Sequence, residues 1–130
     1  MPESEPLVDE WLLHVQREMD GHTVVVSVAG EVDHNTVGAL HVELDTALAL
    51  ATPPAPVVLD LTGVTFFGSA GLNELVLQHL RAGENRTPLR VVAAHRQVLH
   101  PIQLTDLHNL LRLFPDRADA LHAVTRCQAG

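Results

Sequence analysis

The chain has 130 residues, 46% hydrophobic and 18% charged, the balance of one folded soluble domain with little room for a second. Eight Lys plus Arg against sixteen Asp plus Glu give a formal charge of −8, which excludes the clustered cations of a nucleic-acid binder and disfavours anionic membrane surfaces. The single cysteine, Cys127, permits no disulfide within the chain. The first residues are acidic rather than basic and then apolar, and no apolar run approaches the ~20 residues of a spanning helix, so a cytoplasmic protein is expected.

Residues 1–10 read as an acidic arm, 11–126 as the folded domain and 127–130 as a tail. Trp11, Leu13 and Val15 alternate with His14 and Gln16, the period of a half-exposed strand. Asp20-Gly21 supplies a turn, because glycine takes positive φ without steric cost. Val24-Val25-Val26-Ser27-Val28-Ala29 follows as a strand apolar on both faces, hence internal to a sheet and paired with the first strand as a hairpin. Gly30-Glu31-Val32-Asp33 closes it, and Asn35-Thr36 are suited to opening a helix. That helix buries Val37, Leu40, Leu44, Ala47, Leu48 and Ala51 and sends Gly38, His41, Glu43 and Asp45 largely to the other side. Pro53, Pro54 and Pro56 end it.

Val57-Val58-Leu59-Asp60-Leu61 is the next strand, parallel to its predecessor through a right-handed crossover. Phe66-Phe67-Gly68-Ser69-Ala70-Gly71 leads into a second helix whose expected buried face is Leu72, Leu75, Val76 and Leu80. Gly83 and Pro88 stop it before a strand over residues 89–94. Residues 98–104 suggest a short helix with Pro101 in its first turn or kinking it. Residues 110–114 suggest an edge strand, and residues 116–126 a final helix opening at Asp116. The fold class is therefore α/β: a single domain with a mixed sheet, an N-terminal hairpin, and helices packed mainly on one face.

The chemistry concentrates at Ser69. Small residues flank it where a strand delivers the chain to a helix start. It can serve there as an N-cap, accepting from backbone amides near Leu72. It can also accept a phosphate, since a helix N-terminus presents unpaired amides and partial positive charge. The two roles are compatible. Nine histidines invite a metal reading, but His95, His100 and His108 lack i, i+4 spacing and no second cysteine supports them, so no metal or other cofactor is expected. A hydrolase or transferase using Ser69 is an alternative. Against it, Gly68-Ser69-Ala70-Gly71 is not a Gly-x-Ser-x-Gly elbow, Asp33 and His34 adjoin in sequence, and no Gly-Lys-Ser or Gly-Lys-Thr loop occurs, so no enzyme is expected.

Gly30-Glu31-Val32-Asp33-His34-Asn35-Thr36, then Val57-Val58-Leu59-Asp60-Leu61, then Phe66-Phe67-Gly68-Ser69-Ala70-Gly71-Leu72 resemble the signature stretches of STAS domains. Leu104-Thr105-Asp106-Leu107 and Leu111-Arg112-Leu113-Phe114-Pro115-Asp116 resemble that family's C-terminal pattern. The resemblance implies a stand-alone bacterial anti-sigma factor antagonist with a STAS-like fold. It implies as partner an anti-sigma factor that is also a serine kinase of the histidine-kinase-like ATPase type, with a phosphatase resetting the switch. Ser69 matches the family's acceptor serine and Asp33 an acidic position beside it. The implied partner surface comprises Asp33, His34, Asn35, Thr36, Gly68, Ala70, Gly71 and Asn73. Gly68 departs from the pattern, which usually has Asp there. That substitution leaves open a STAS module that acts as a non-phosphorylated scaffold in a signalling complex.

Overall fold

A computed structural model describes residues 12–123. The proposed arm, tail and Trp11 lie outside them. Strand β1 (Leu13–Asp20) turns through Gly21, at φ +62°, into β2 (Thr23–Val32), and the two pair antiparallel from Leu13↔Gly30 to Asp20↔Thr23. Helix α1 (Val37–Leu50) leads to β3 (Val57–Phe67), and α2 (Ser69–Glu84) leads to β4 (Leu89–Val92). Helix α3 (Arg96–Leu104) and a 3₁₀ turn (Leu107–Asn109) precede β5 (Arg112–Phe114) and α4 (Arg117–His122). The sheet order is β1-β2-β3-β4-β5, with β2 to β5 parallel.

Val24, Val25 and Val26 are all fully buried, because β2 is internal and both its faces are covered. Val24, Val26, Val57, Leu59 and Val91 pack beneath α1, α2 and α3 through Leu40, Leu44, Leu75, Val98 and Ile102. On the opposite face Val25, Val58 and Val92 meet Ala120 of α4. Three helices on one side and one short helix on the other match the expected arrangement.

Three local expectations are corrected. Strand β2 runs through Gly30-Glu31-Val32 rather than closing there, because irregularities at Ser27/Ala29 and Gly30/Glu31 let pairing with β3 resume as far as Val32↔Phe67. Helix α3 starts at Arg96, so Pro101 stands in its interior, where the missing amide forfeits one helical hydrogen bond. In α2 the buried residues are Gly71, Glu74, Leu75, Gln78 and Ala82, while Leu80 is 56% exposed. His41 and Asp45 accordingly face α2 instead of solvent.

They do so because the polar groups satisfy one another. Glu74 Oε2 lies 2.8 Å from His41 Nδ1 and accepts from Gln78 Nε2 at 2.7 Å. Gln78 Nε2 also donates to Asp45 Oδ1 at 3.0 Å, where Arg81 donates as well. His41 Nε2 lies 3.2 Å from Asp45 Oδ2. The Gln78 hydrogen bond, opposed by burial and reinforced by Arg81 and His41, holds the Asp45 carboxyl below the ordinary carboxylate range.

Helix α4 opens at Asp116, whose side chain accepts from the Asp119 amide at 2.8 Å, as the sequence predicts. Its Arg117 then ties three strands together. Its guanidinium donates to Asp60 Oδ2 at 2.9 and 3.1 Å, to Ser27 Oγ at 2.7 Å and to Glu18 Oε2 at 2.6 Å. Burial alone raises the Asp60 pKa. Donors from the Thr62 amide and hydroxyl and from Arg117 outweigh it, so Asp60 titrates below the ordinary range.

Two predictions follow from this frame. Gly30 has φ +112°, and a Cβ there would stand 2.0 Å from the Leu12 carbonyl oxygen. Gly30→Ala should therefore lower the unfolding free energy by about 2–3 kcal/mol or more, read from denaturant midpoints. Because the folded state depresses the Asp60 pKa, its stabilisation is complete above the unfolded value of about 4 and is lost as pH falls below it. Asp60→Asn should be less stable at neutral pH and should show a shallower acid loss in pH-dependent melting.

Candidate functional site

The carboxyl ends of β2, β3 and β4 lie at one end of the parallel sheet, where α1, α2 and α3 begin, the usual place for a binding site in such a sheet. After Val32 the chain turns at Asp33. Its Oδ1 accepts from the amides of Asn35 at 2.9 Å and Thr36 at 3.1 Å, an aspartate-nucleated turn. Thr36 Oγ1 donates to the Glu31 carbonyl at 2.7 Å and accepts from the Asp33 amide at 3.0 Å. The loop is thus held from both ends, with His34 and Asn35 exposed at its tip. Thr36, expected on the partner surface, is only 1% exposed and serves the turn instead.

Strand β3 reaches the same end. Alternation along the strand buries Phe67 (4% exposed) and turns Phe66 outward (52% exposed). The Gly68 amide then donates to the Val32 carbonyl at 2.9 Å, which brings the start of α2 beside the Asp33 turn. Gly68 occupies the N-cap position, at φ −93° and ψ −173°, and contributes no side-chain cap. Ser69 is the first helical residue, one position further in than a cap, and it is exposed. The first turn holds no acidic residue, so the partial positive charge of the helix start is not offset there by a carboxylate.

Ala70 is half-buried and Asn73 is exposed one turn along the helix. Gly71 is buried. A Cβ there would meet the Phe67 ring at 2.7 Å and Val32 Cγ1 at 2.9 Å, so this glycine lets α2 close onto the strand ends and is not itself accessible. Of the residues expected on the surface, the structure gathers Asp33, His34, Asn35, Gly68, Ser69, Ala70 and Asn73 at one end and withdraws Thr36 and Gly71 into packing.

A cleft of about 510 Å³ adjoins this surface, lined in part by Phe66, Arg96, Gln97 and His100. The sequence does not reveal it, because its two walls lie thirty residues apart in the chain. The one local signal is the Phe66-Phe67 pair at the end of a strand, where alternation must turn one ring outward. Among the described residues no group of three or more His, Cys, Asp or Glu is placed to hold a metal ion. No described helix is long and apolar enough to cross a membrane.

Comparison with known proteins places these features in context. The family described as "Mlab, STAS domain" matches residues 15–113. The anti-sigma-F factor antagonist RsfB of Mycobacterium tuberculosis is 35% identical over 100 residues, spanning 77% of this chain and 80% of that protein. The crystal structure of an anti-sigma factor antagonist from Mycobacterium paratuberculosis superposes with a TM-score of 0.80 at 34% identity, covering 91% of this chain and 97% of that one. A STAS domain protein from Planctomyces limnophilus, at 20% identity and a TM-score of 0.73 over 84% of this chain and 96% of its own, is similar in fold alone.

The open N-cap position generates a further prediction. Position 68 has an extended backbone that any residue adopts, and a Cβ there would lie 3.1 Å from the edge of the exposed Phe66 ring, which can shift. Gly68→Asp should stabilise the chain by about 0.5–1 kcal/mol, by supplying the cap and reducing unfolded-state freedom, seen as a raised melting temperature.

Proposed function

The chain belongs to the STAS domain family, and from that membership we propose that it acts as an anti-sigma factor antagonist, a protein-binding switch that sequesters an anti-sigma factor and so releases a sigma factor. The partner is an anti-sigma factor with serine kinase activity of the histidine-kinase-like ATPase type. It docks on Asp33, His34 and Asn35, on Ser69 and on the exposed start of α2. The kinase transfers a phosphate to the Ser69 hydroxyl, the complex separates, and a phosphatase restores the free hydroxyl. ATP, its metal ion and the catalytic groups belong to the kinase; this chain supplies the acceptor.

The observation that carries this reading is the exposure of Ser69 at the first position of a helix with no side-chain cap and no acidic residue in its first turn. A phosphate adds about −1.5 to −2 charges. The helix start tolerates that charge, so the fold survives while the surface presented to the partner becomes more negative. The Asp33 carboxylate, already committed to two amides of its own turn, is fixed in the loop that the Gly68–Val32 hydrogen bond brings beside the start of α2.

Gly68 favours a second reading. Where the family pattern carries Asp, this chain lacks the carboxylate, which suits a constitutive scaffold that binds without phosphate control. Calorimetric titration of the purified anti-sigma factor separates the two. Under the switch, Ser69→Ala retains affinity within about twofold and loses labelling by the kinase, while Ser69→Asp binds at least about tenfold more weakly. Equal affinity of Ser69→Asp and the unmodified chain contradicts the switch and supports the scaffold.

A further inference from the structure

The cleft beside Ser69 carries a pattern that the acceptor chemistry does not use. Its lining includes Phe66, half-exposed in a chain with three phenylalanines and no tyrosine, and the side chains of Arg96 and His100 one helical turn apart on α3. Sixteen acidic residues occur in the chain, yet among the described residues none lines this cleft. Among the described residues four other arginines are engaged, while Arg86 and Arg112 make no side-chain hydrogen bond or ion pair but do not line the cleft. Arg17 pairs with Glu43, Arg81 with Asp45, and Arg117 with Glu18 and Asp60, while Arg90 is buried and donates to the Ala120 carbonyl. The Arg96 side chain makes no ion pair or hydrogen bond among the described residues. It stands at the first position of α3, a helix with neither a side-chain cap nor an acidic residue in its first turn, so the helix pole adds to its charge.

Phe66 links the cleft to the helix start that carries the acceptor. A Cβ on Gly68 would lie 3.1 Å from the Phe66 ring, and Ser69 follows directly. Resting on the reading that the anti-sigma factor docks over Ser69, we infer that this cleft receives from that partner an apolar side chain flanked by a carboxylate. Phe66 covers the apolar group, and Arg96 with His100 takes the carboxylate. Charge complementarity selects this occupant, since an unpaired guanidinium and an imidazole beside an exposed ring suit an anion with an apolar neighbour. The assignment also gives the switch its sign. A phosphate on Ser69 places negative charge next to the incoming carboxylate and offers Arg96 a rival anion, so the contact that drew the partner in is weakened from both sides.

Binding kinetics of the full chain with the purified anti-sigma factor test the inference, using Arg96→Glu, Arg96→Lys and Phe66→Ala beside Ser69→Asp. Both substituted cleft positions are exposed, and thermal unfolding checks that each variant folds. Arg96→Glu and Phe66→Ala should each weaken binding at least about fivefold, and Arg96→Lys should retain most of the affinity. The association rate should fall with added salt more steeply for the unmodified chain than for Arg96→Glu. If both variants bind like the unmodified chain while Ser69→Asp is weakened, the docking surface stands and the cleft assignment is overturned. The cleft then belongs to another occupant, such as a second copy or the acidic residues 1–10. No binding by the unmodified chain overturns the antagonist reading itself.

Discussion

One backbone hydrogen bond, from the Gly68 amide to the Val32 carbonyl at 2.9 Å, organises the functional end of the molecule. It extends the β2–β3 ladder by one step past Val32↔Phe67, at the point where both strands give way to loops. The Asp33 turn and the start of α2 are therefore neighbours by construction. The close approach is possible because Gly71 has no side chain, so the Phe67 ring and Val32 fill the space a Cβ would need. Everything the surface presents, from the loop tip at His34 and Asn35 to the exposed serine, is positioned by this junction.

A second constraint sets how α2 lies against α1. Apolar packing through Leu40, Leu44 and Leu75 is supplemented by the seam of His41, Asp45, Glu74, Gln78 and Arg81. Burying Glu74 and Gln78 is costly unless partners are in place, so the seam has few arrangements that satisfy it. Gln78 Oε1 is buried with no hydrogen-bond partner among the described residues, while its amide nitrogen serves two carboxylates. The helix that carries Ser69 is thereby held in register with the helix that follows the Asp33 turn. On the far side of the sheet, Arg117 performs the corresponding task for α4.

Much of this was legible in the chain. The unbroken valines at 24–26 identified an internal strand, the spacing of Leu40, Leu44, Ala47 and Leu48 identified the buried face of α1, and Asp116 marked the start of the last helix. Those features are local, and each follows from a period or a cap. What escaped depends on partners distant in sequence. Glu74 and Gln78 look solvent-facing until His41 and Asp45 are set opposite them. Continuation of β2 past Gly30 depends on a bulge that only the neighbouring strand reveals. The sequence puts Ser69 at the right helix start but at the cap position, one residue from where it stands, because the chain enters the helix through the extended Gly68. Thr36 reads as a surface polar residue, yet its hydroxyl satisfies two backbone groups of a loop that closes over it.

The central claim is that an exposed serine at an uncapped helix start is where this surface changes charge. Intact-mass analysis with fragment mapping, on chain isolated from its host cells under phosphatase inhibition, tests it most directly. The account predicts a population heavier by one phosphate, with the modification confined to the fragment containing Ser69. A homogeneous unmodified chain, or a phosphate mapped to any other residue, would contradict it.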